Sequence, residues 1–186
     1  GMIYITGDFE SSVDMDPGPG TSPLVSLGGS DIWVASYTNG GQLSWSGSAG
    51  GTLGETAYSL DLDTYGNIWV VGLFAGLADF DLGSGTYYLT SAGTLGFIAK
   101  WDKHGHIAWA GAYVGTAQGV QARAPSGIII TGSGGGPGAD MDPSQEEFYF
   151  PDGGGAFVMA LRDSRIGGSA WHDWTNDCQE SFTEPR

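Results

Sequence analysis

Asn67-Ile68-Trp69-Val70-Val71-Gly72 constrains this chain more than any other stretch, because the chain carries its like three times. Met2-Ile3-Tyr4-Ile5-Thr6-Gly7 stands before it and Gly127-Ile128-Ile129-Ile130-Thr131-Gly132 after it. Gly7 and Gly72 are 65 residues apart, Gly72 and Gly132 60. Self-similarity at a near-constant period marks a repeat architecture. Each copy is apolar at consecutive positions, so both faces of the strand must be covered; a strand with one solvated face would alternate.

The remaining parts recur in the same order. An acidic triplet follows each organising strand: Asp14-Met15-Asp16, Asp79-Phe80-Asp81 and Asp140-Met141-Asp142. After a Gly- and Ser-rich loop comes a second apolar strand, at Trp33-Val34-Ala35, Phe97-Ile98-Ala99 and Phe157-Val158-Met159. Tight turns at Asn39-Gly40-Gly41, His104-Gly105 and Ile166-Gly167-Gly168 lead to strands carrying Trp45, Trp109 and Trp171. Glycine supplies the positive φ such turns need. A fourth strand alternates with period two, at Tyr58-Ser59-Leu60-Asp61-Leu62 and Val120-Gln121-Ala122-Arg123-Ala124, and runs into the next organising strand. Four antiparallel strands per unit of about 62 residues fit a propeller blade.

The expected fold is therefore all-β: a single repeat array over residues 1–186, built from three four-stranded β-propeller blades. The repeats fall at approximately 2–66, 67–127 and 128–186. The first lacks its innermost strand, and the tail at 179–185 falls where one would come next. Gly1 ahead of Met2 reads as a tag remnant, and the immediate strand as a trimmed or partial gene product. Propellers close with about 4–8 blades. Two chains would give six, with Phe182 of one tail beside Ile3 and Ile5 of the other. A fragment of a longer propeller and a closed pseudo-threefold β fold are the alternatives.

Composition narrows the partners. The 34 glycines, 8 prolines and aromatic strand formers suit a turn-rich β chain. A formal net charge of -15 repels phosphate backbones and anionic lipid, which argues against nucleic acid and acidic membranes. No apolar run reaches membrane-span length, and no signal peptide is visible. The single cysteine, Cys178, allows no intrachain disulfide and no cysteine zinc cluster.

Asn67-Ile68-Trp69-Val70-Val71-Gly72, the Asp-x-Asp-Pro-Gly-Pro-Gly run from Asp14 to Gly20, Gly29-Ser30-Asp31-Ile32-Trp33-Val34-Ala35 and Leu43-Ser44-Trp45 are similar to the bacterial seven-bladed β-propeller (SBBP-type) repeats. The resemblance covers nearly the whole chain. It departs in the third unit, where Ser133-Gly134-Gly135-Gly136 replaces the segment holding Phe9 and Phe74, and Gln145-Glu146-Glu147 replaces the Gly-rich turn. It implies an extracellular or cell-surface setting and a binding or scaffold role.

Candidate chemistry begins with the carboxylate pairs. Alternate residues of a strand face one side about 7 Å apart, so Asp14 with Asp16, Asp79 with Asp81, and Asp140 with Asp142 present two carboxylates each. Met15, Phe80 and Met141 then turn to the core. Ca²⁺ takes about 6–8 oxygens, to which a Gly-rich loop could add carbonyls. The competing role is stabilisation of the turn by side-chain hydrogen bonds. His104 and His106 flank a turn glycine, as a metal pair or as an exposed hairpin tip. His172-Asp173 sits beside Trp171, and Cys178 lacks a local group to lower its pKa. The glycines at 134–138 form no phosphate loop, since no lysine or helix follows. Trp45, Trp109 and Trp171 share one blade position, as core residues would.

No residue of this set is assigned a catalytic role. The expected function is a non-catalytic binding or scaffold module for glycan or protein that pairs with itself. A glycan-active hydrolase or lyase working at the channel mouth is the alternative.

Overall fold

The computed structural model describes residues 1–123, 127–134, 155–162 and 171–172. These are all-β, with no helix among them. The strands are β1 (Met2–Phe9), β2 (Ser12–Asp14), β3 (Pro23–Val25), β4 (Asp31–Thr38), β5 (Leu43–Gly51), β6 (Thr56–Leu62), β7 (Ile68–Asp79), β8 (Tyr88–Trp101), β9 (Ile107–Tyr113), β10 (Gly115–Arg123), β11 (Gly127–Gly134), β12 (Ala156–Arg162) and β13 (Trp171–His172). The tail at 179–185, Cys178 and the pair Asp140 and Asp142 lie outside the described residues.

Pairing is antiparallel throughout, and the sheets are not closed. One sheet runs β1-β4-β5-β7-β8-β9 with β6 on β7, a second runs β10-β11-β12-β13, and β2 pairs with β3. The contact that joins β5 to β7 is short, Gly50 and Gly51 opposite Asp79 and Ala78. The first sheet thus consists of a three-stranded meander, β1-β4-β5, meeting a four-stranded one, β6-β7-β8-β9.

Registers in the three meanders correspond residue by residue. Gly7 stands opposite Trp33, Gly72 opposite Phe97 and Gly132 opposite Phe157. On the inner side, Ala57 faces Gly72 and Ala117 faces Gly132, and in both places the register slips at the next residue. These matching positions explain why glycine ends the organising stretch. A Cβ on Gly72 would run into the Thr56 carbonyl oxygen and stand 2.7 Å from the Phe97 ring. At Gly132 it would meet the Thr116 carbonyl oxygen and the Phe157 ring. An aromatic side chain laid over a strand glycine covers backbone that would otherwise be bare.

The middle meander is covered on both faces. Ile68, Val70, Phe74, Phe97, Ala99 and Trp101 point to a core shared with Ile32, Val34 and Ala49 of the first meander. Trp69, Val71 and Ile98 point the other way, to a core shared with Ile128, Ile130, Phe157 and Met159. This is the arrangement that consecutive apolar residues demand. The innermost strands stand side by side, with the Val120 N–H donating to Ser59 Oγ at 3.2 Å and the Ala122 N–H to Asp61 Oδ2 at 2.8 Å.

Among the described residues, the outer meanders are covered on one face. Ile3 and Ile5 remain 45% and 43% exposed although their stretch is as apolar as that of β7. Val158 is exposed on the opposite end. Double coverage, expected for every organising strand, is supplied to the middle one.

The tryptophans need a correction. Trp45 and Trp109 are half-buried, whereas Trp101 is fully buried and Trp69 nearly so. Trp45 lies across a seam: its Nε1–H donates to the Lys103 carbonyl at 3.1 Å, and its ring packs on Gly105 and beside Tyr4. Trp45 is therefore a joint between the first two meanders as well as a rim residue of the first core, Trp109 borders the second core, and the side chain of Trp171 lies outside the described residues.

Candidate functional site

The first two acidic triplets form the same loop. The Asp14 Oδ1 accepts the N–H groups of Asp16 and Ser22, and Met15 N–H donates to the Ser22 carbonyl. The Asp79 Oδ1 accepts those of Asp81 and Tyr87, and Phe80 N–H donates to the Tyr87 carbonyl. Asp16 and Asp81 each bond the N–H two residues on, at Gly18 and Gly83. Their carboxylates fold over Gly20 and Gly85, where a Cβ would collide with them. Met15 and Phe80 are buried, as the alternation requires.

These four carboxylates hold their loops open for a return strand. Hydrogen bonds from Ser22 and Asp16 lower the Asp14 pKa below its ordinary value. Among the described residues, no three of His, Cys, Asp and Glu gather as metal ligands. The Gly-rich segments are thus seats for carboxylates as well as turn formers.

Turns at the far ends repeat a second device. Asp63 Oδ1 accepts from Tyr65 and Asn67, and Asp102 Oδ1 from His104 and His106, with Gly66 and Gly105 at positive φ. Thr38 Oγ1 takes the Gln42 N–H in the third such turn, before which Gly41 has positive φ. Sequence reasoning found the turn glycines and missed the acceptor three residues ahead of each. His104 and His106 lie at one of these tips, ring centres 6.2 Å apart, and His106 Nδ1 is 3.0 Å from Asp102 Oδ2. Partial burial raises the Asp102 pKa, but hydrogen bonds and the His106 charge outweigh it and hold the group low. Asp63 is likewise low despite burial, bonded by Asn67, Tyr65 and the Trp69 Nε1–H. Lys100 Nζ approaches Asp63 at 3.9 Å and rides over the Trp69 ring.

A different pair of carboxylates has no structural duty that exhausts it. Asp31 opens β4 and Glu55 immediately precedes β6; they are 1% and 0% exposed. Asp31 Oδ2 accepts the Leu27 N–H at 3.1 Å and Glu55 Oε2 the Gly51 N–H at 2.8 Å. Asp31 Oδ1 and Glu55 Oε1 have no protein hydrogen-bond partner among the described residues. Both side chains converge on Gly50, whose Cβ would stand 2.6 Å from Asp31 Oδ1 and 2.8 Å from Glu55 Oε2. Burial pushes Asp31 up, and burial with the Asp31 charge behind it pushes Glu55 up to about 7, against the Gly51 and Ala75 N–H groups. Sequence reasoning passed over both residues. The available signal was an acid at positions where the second meander has Leu95 and the third strand set starts with Gly115.

Comparison with protein-family models gives no match, and comparison with curated proteins gives none either.

Proposed function

We propose that this chain is a non-catalytic binding or scaffold module, built as three blades of a β-propeller and acting at the bacterial cell surface on glycan or protein. The observation that carries the proposal is the matched register of the meanders about adjacent inner strands. Units stacked face to face in this way offer extended surfaces, which is how repeat arrays work. Exposed tyrosines supply stacking groups: Tyr58 on inner strand β6 and Tyr65 at the turn after it. The bare Ile3 and Ile5 face supports pairing with a second copy, since large exposed apolar patches mark contact surfaces.

A glycan array probed with the purified chain, read alongside product analysis of the same glycans, tests the role. The expected result is retention of a glycan class that weakens in Tyr58→Ala, with no new reducing ends or unsaturated sugars. Glycan cleavage by the purified chain would overturn the non-catalytic role, and retention unchanged in Tyr58→Ala would remove the inner-strand tyrosine from it.

A further inference from the structure

We propose that Asp31 and Glu55 form a binding site for a hard divalent cation, of which Ca²⁺ is the type, at the seam between the first and second meanders. Two carboxylates side by side in a site closed to solvent repel one another, and burial of unpaired charge is costly. Asp31 Oδ1 and Glu55 Oε1 are the oxygens left over. Segments 26–31 and 50–55, which build the site, contain no lysine, arginine or histidine. The charge of Asp31 adds to burial in raising the Glu55 carboxyl. Carboxylates, hydroxyls and backbone carbonyls are all hard oxygen donors, the set that suits Ca²⁺ rather than a soft metal.

The walls are held in place before any ion arrives. Glu55 N–H donates to the Ser30 carbonyl at 2.7 Å, and Ser30 Oγ donates to the Glu55 carbonyl at 3.0 Å. Gly28 and Gly29 lie directly on the backbone of Thr52 and Leu53, with no room for a side chain. Geometry fixed in this way removes an ordering cost from binding.

The fold itself does not require the acids. By register, Asp31 corresponds to Leu95, since Phe9 faces the one and Phe74 the other. Glu55 corresponds to Gly115, each standing two residues ahead of an alanine that faces the strand glycine. In the second meander the counterpart of Asp31, Leu95, packs against the first core, and at the second seam the buried Tyr113 ring closes on Gly96. Matching positions are thus served by uncharged side chains. A single proton would leave one negative charge buried at the first seam; a divalent cation neutralises both.

The test is calorimetric and thermal titration of the chelator-stripped chain with Ca²⁺. Expected are one ion bound per chain and a rise in melting temperature. Asp31→Asn with Glu55→Gln should abolish binding and raise the melting temperature of the ion-free protein. Asp79→Asn with Asp81→Asn should leave binding intact. A Ca²⁺ response that survives the first pair of substitutions, or is lost with the second, would overturn the assignment. So would a wild type whose melting temperature and heat of titration are indifferent to Ca²⁺. If the double variant does not fold, Glu55→Gln alone takes its place, and a Ca²⁺ affinity unchanged in that variant overturns the assignment.

Discussion

Trp101→Ala should lower the free energy of unfolding by about 3–5 kcal/mol, the usual cost of emptying a buried aromatic site. The side chain is fully buried in the first core, among Ile68, Val70, Phe97 and Ala99. Its Nε1–H donates to the Phe80 carbonyl at 2.9 Å, in the loop organised by Asp79 and Asp81. Truncation thus opens a cavity and also strands a buried acceptor. Against a typical total of about 5–15 kcal/mol, such a loss leaves the chain close to unfolding at physiological temperature. Trp45→Ala should cost no more than about half as much, because the ring is half-buried and one of its edges is already wet. Denaturant midpoints of the two variants, compared at constant slope, decide the matter. A larger loss for Trp45 would restore the repeated tryptophan to the core and contradict the seam role.

Gly72→Ala is expected to cost about 3 kcal/mol, the upper end of what overpacking usually exacts. No backbone constraint is involved, since Gly72 is absent from the positive-φ positions. The obstruction is the inner strand, whose Thr56 carbonyl occupies the place of a methyl group, with the Phe97 ring 2.7 Å away on the other side. A flexible side chain could step aside; a carbonyl held in a ladder opposite Leu73 cannot. Gly7 provides the comparison. Among the described residues it has no inner strand opposite, and the nearest atoms its Cβ would meet belong to the Trp33 ring, at 3.0 Å. Gly7→Ala should therefore stay within about 1 kcal/mol of wild type, the range in which a strand glycine is replaced without obstruction. Equal losses at the two positions would mean that the inner-strand approach is not what selects glycine.

The all-β class and the demand for two covered faces at Ile68 to Val71 were legible because each is a local pattern. Ile68 and Val70 are buried where alternate packing puts them, and Trp69 and Val71 are buried on the other side. The same pattern at Ile3 and Ile5 yields exposed residues. A pattern states what coverage a strand needs and is silent on how many neighbours exist to supply it. The role of Gly72 was hidden for a related reason, since the obstructing carbonyl comes from a strand 16 residues earlier, brought close by pairing. The triplet aspartates were read correctly as turned away from Met15 and Phe80. Their backbone partners at Ser22 and Tyr87 depend on how the loop closes, which composition does not reveal. Asp31 and Glu55 were illegible for want of context: each looks like an ordinary strand-end acid until the seam brings them over Gly50.

Two end faces remain apolar and open among the described residues, Ile3 and Ile5 at one and Val158 at the other. A sheet face of this kind in water is unstable against association. The mass in solution is therefore the most direct test of the proposed assembly. Light scattering of the purified chain at micromolar concentration should give twice the 19.3 kDa of one copy, and Ile3→Asp with Ile5→Asp should return it to one. A wild-type mass of 19.3 kDa under the same conditions would contradict the pairing.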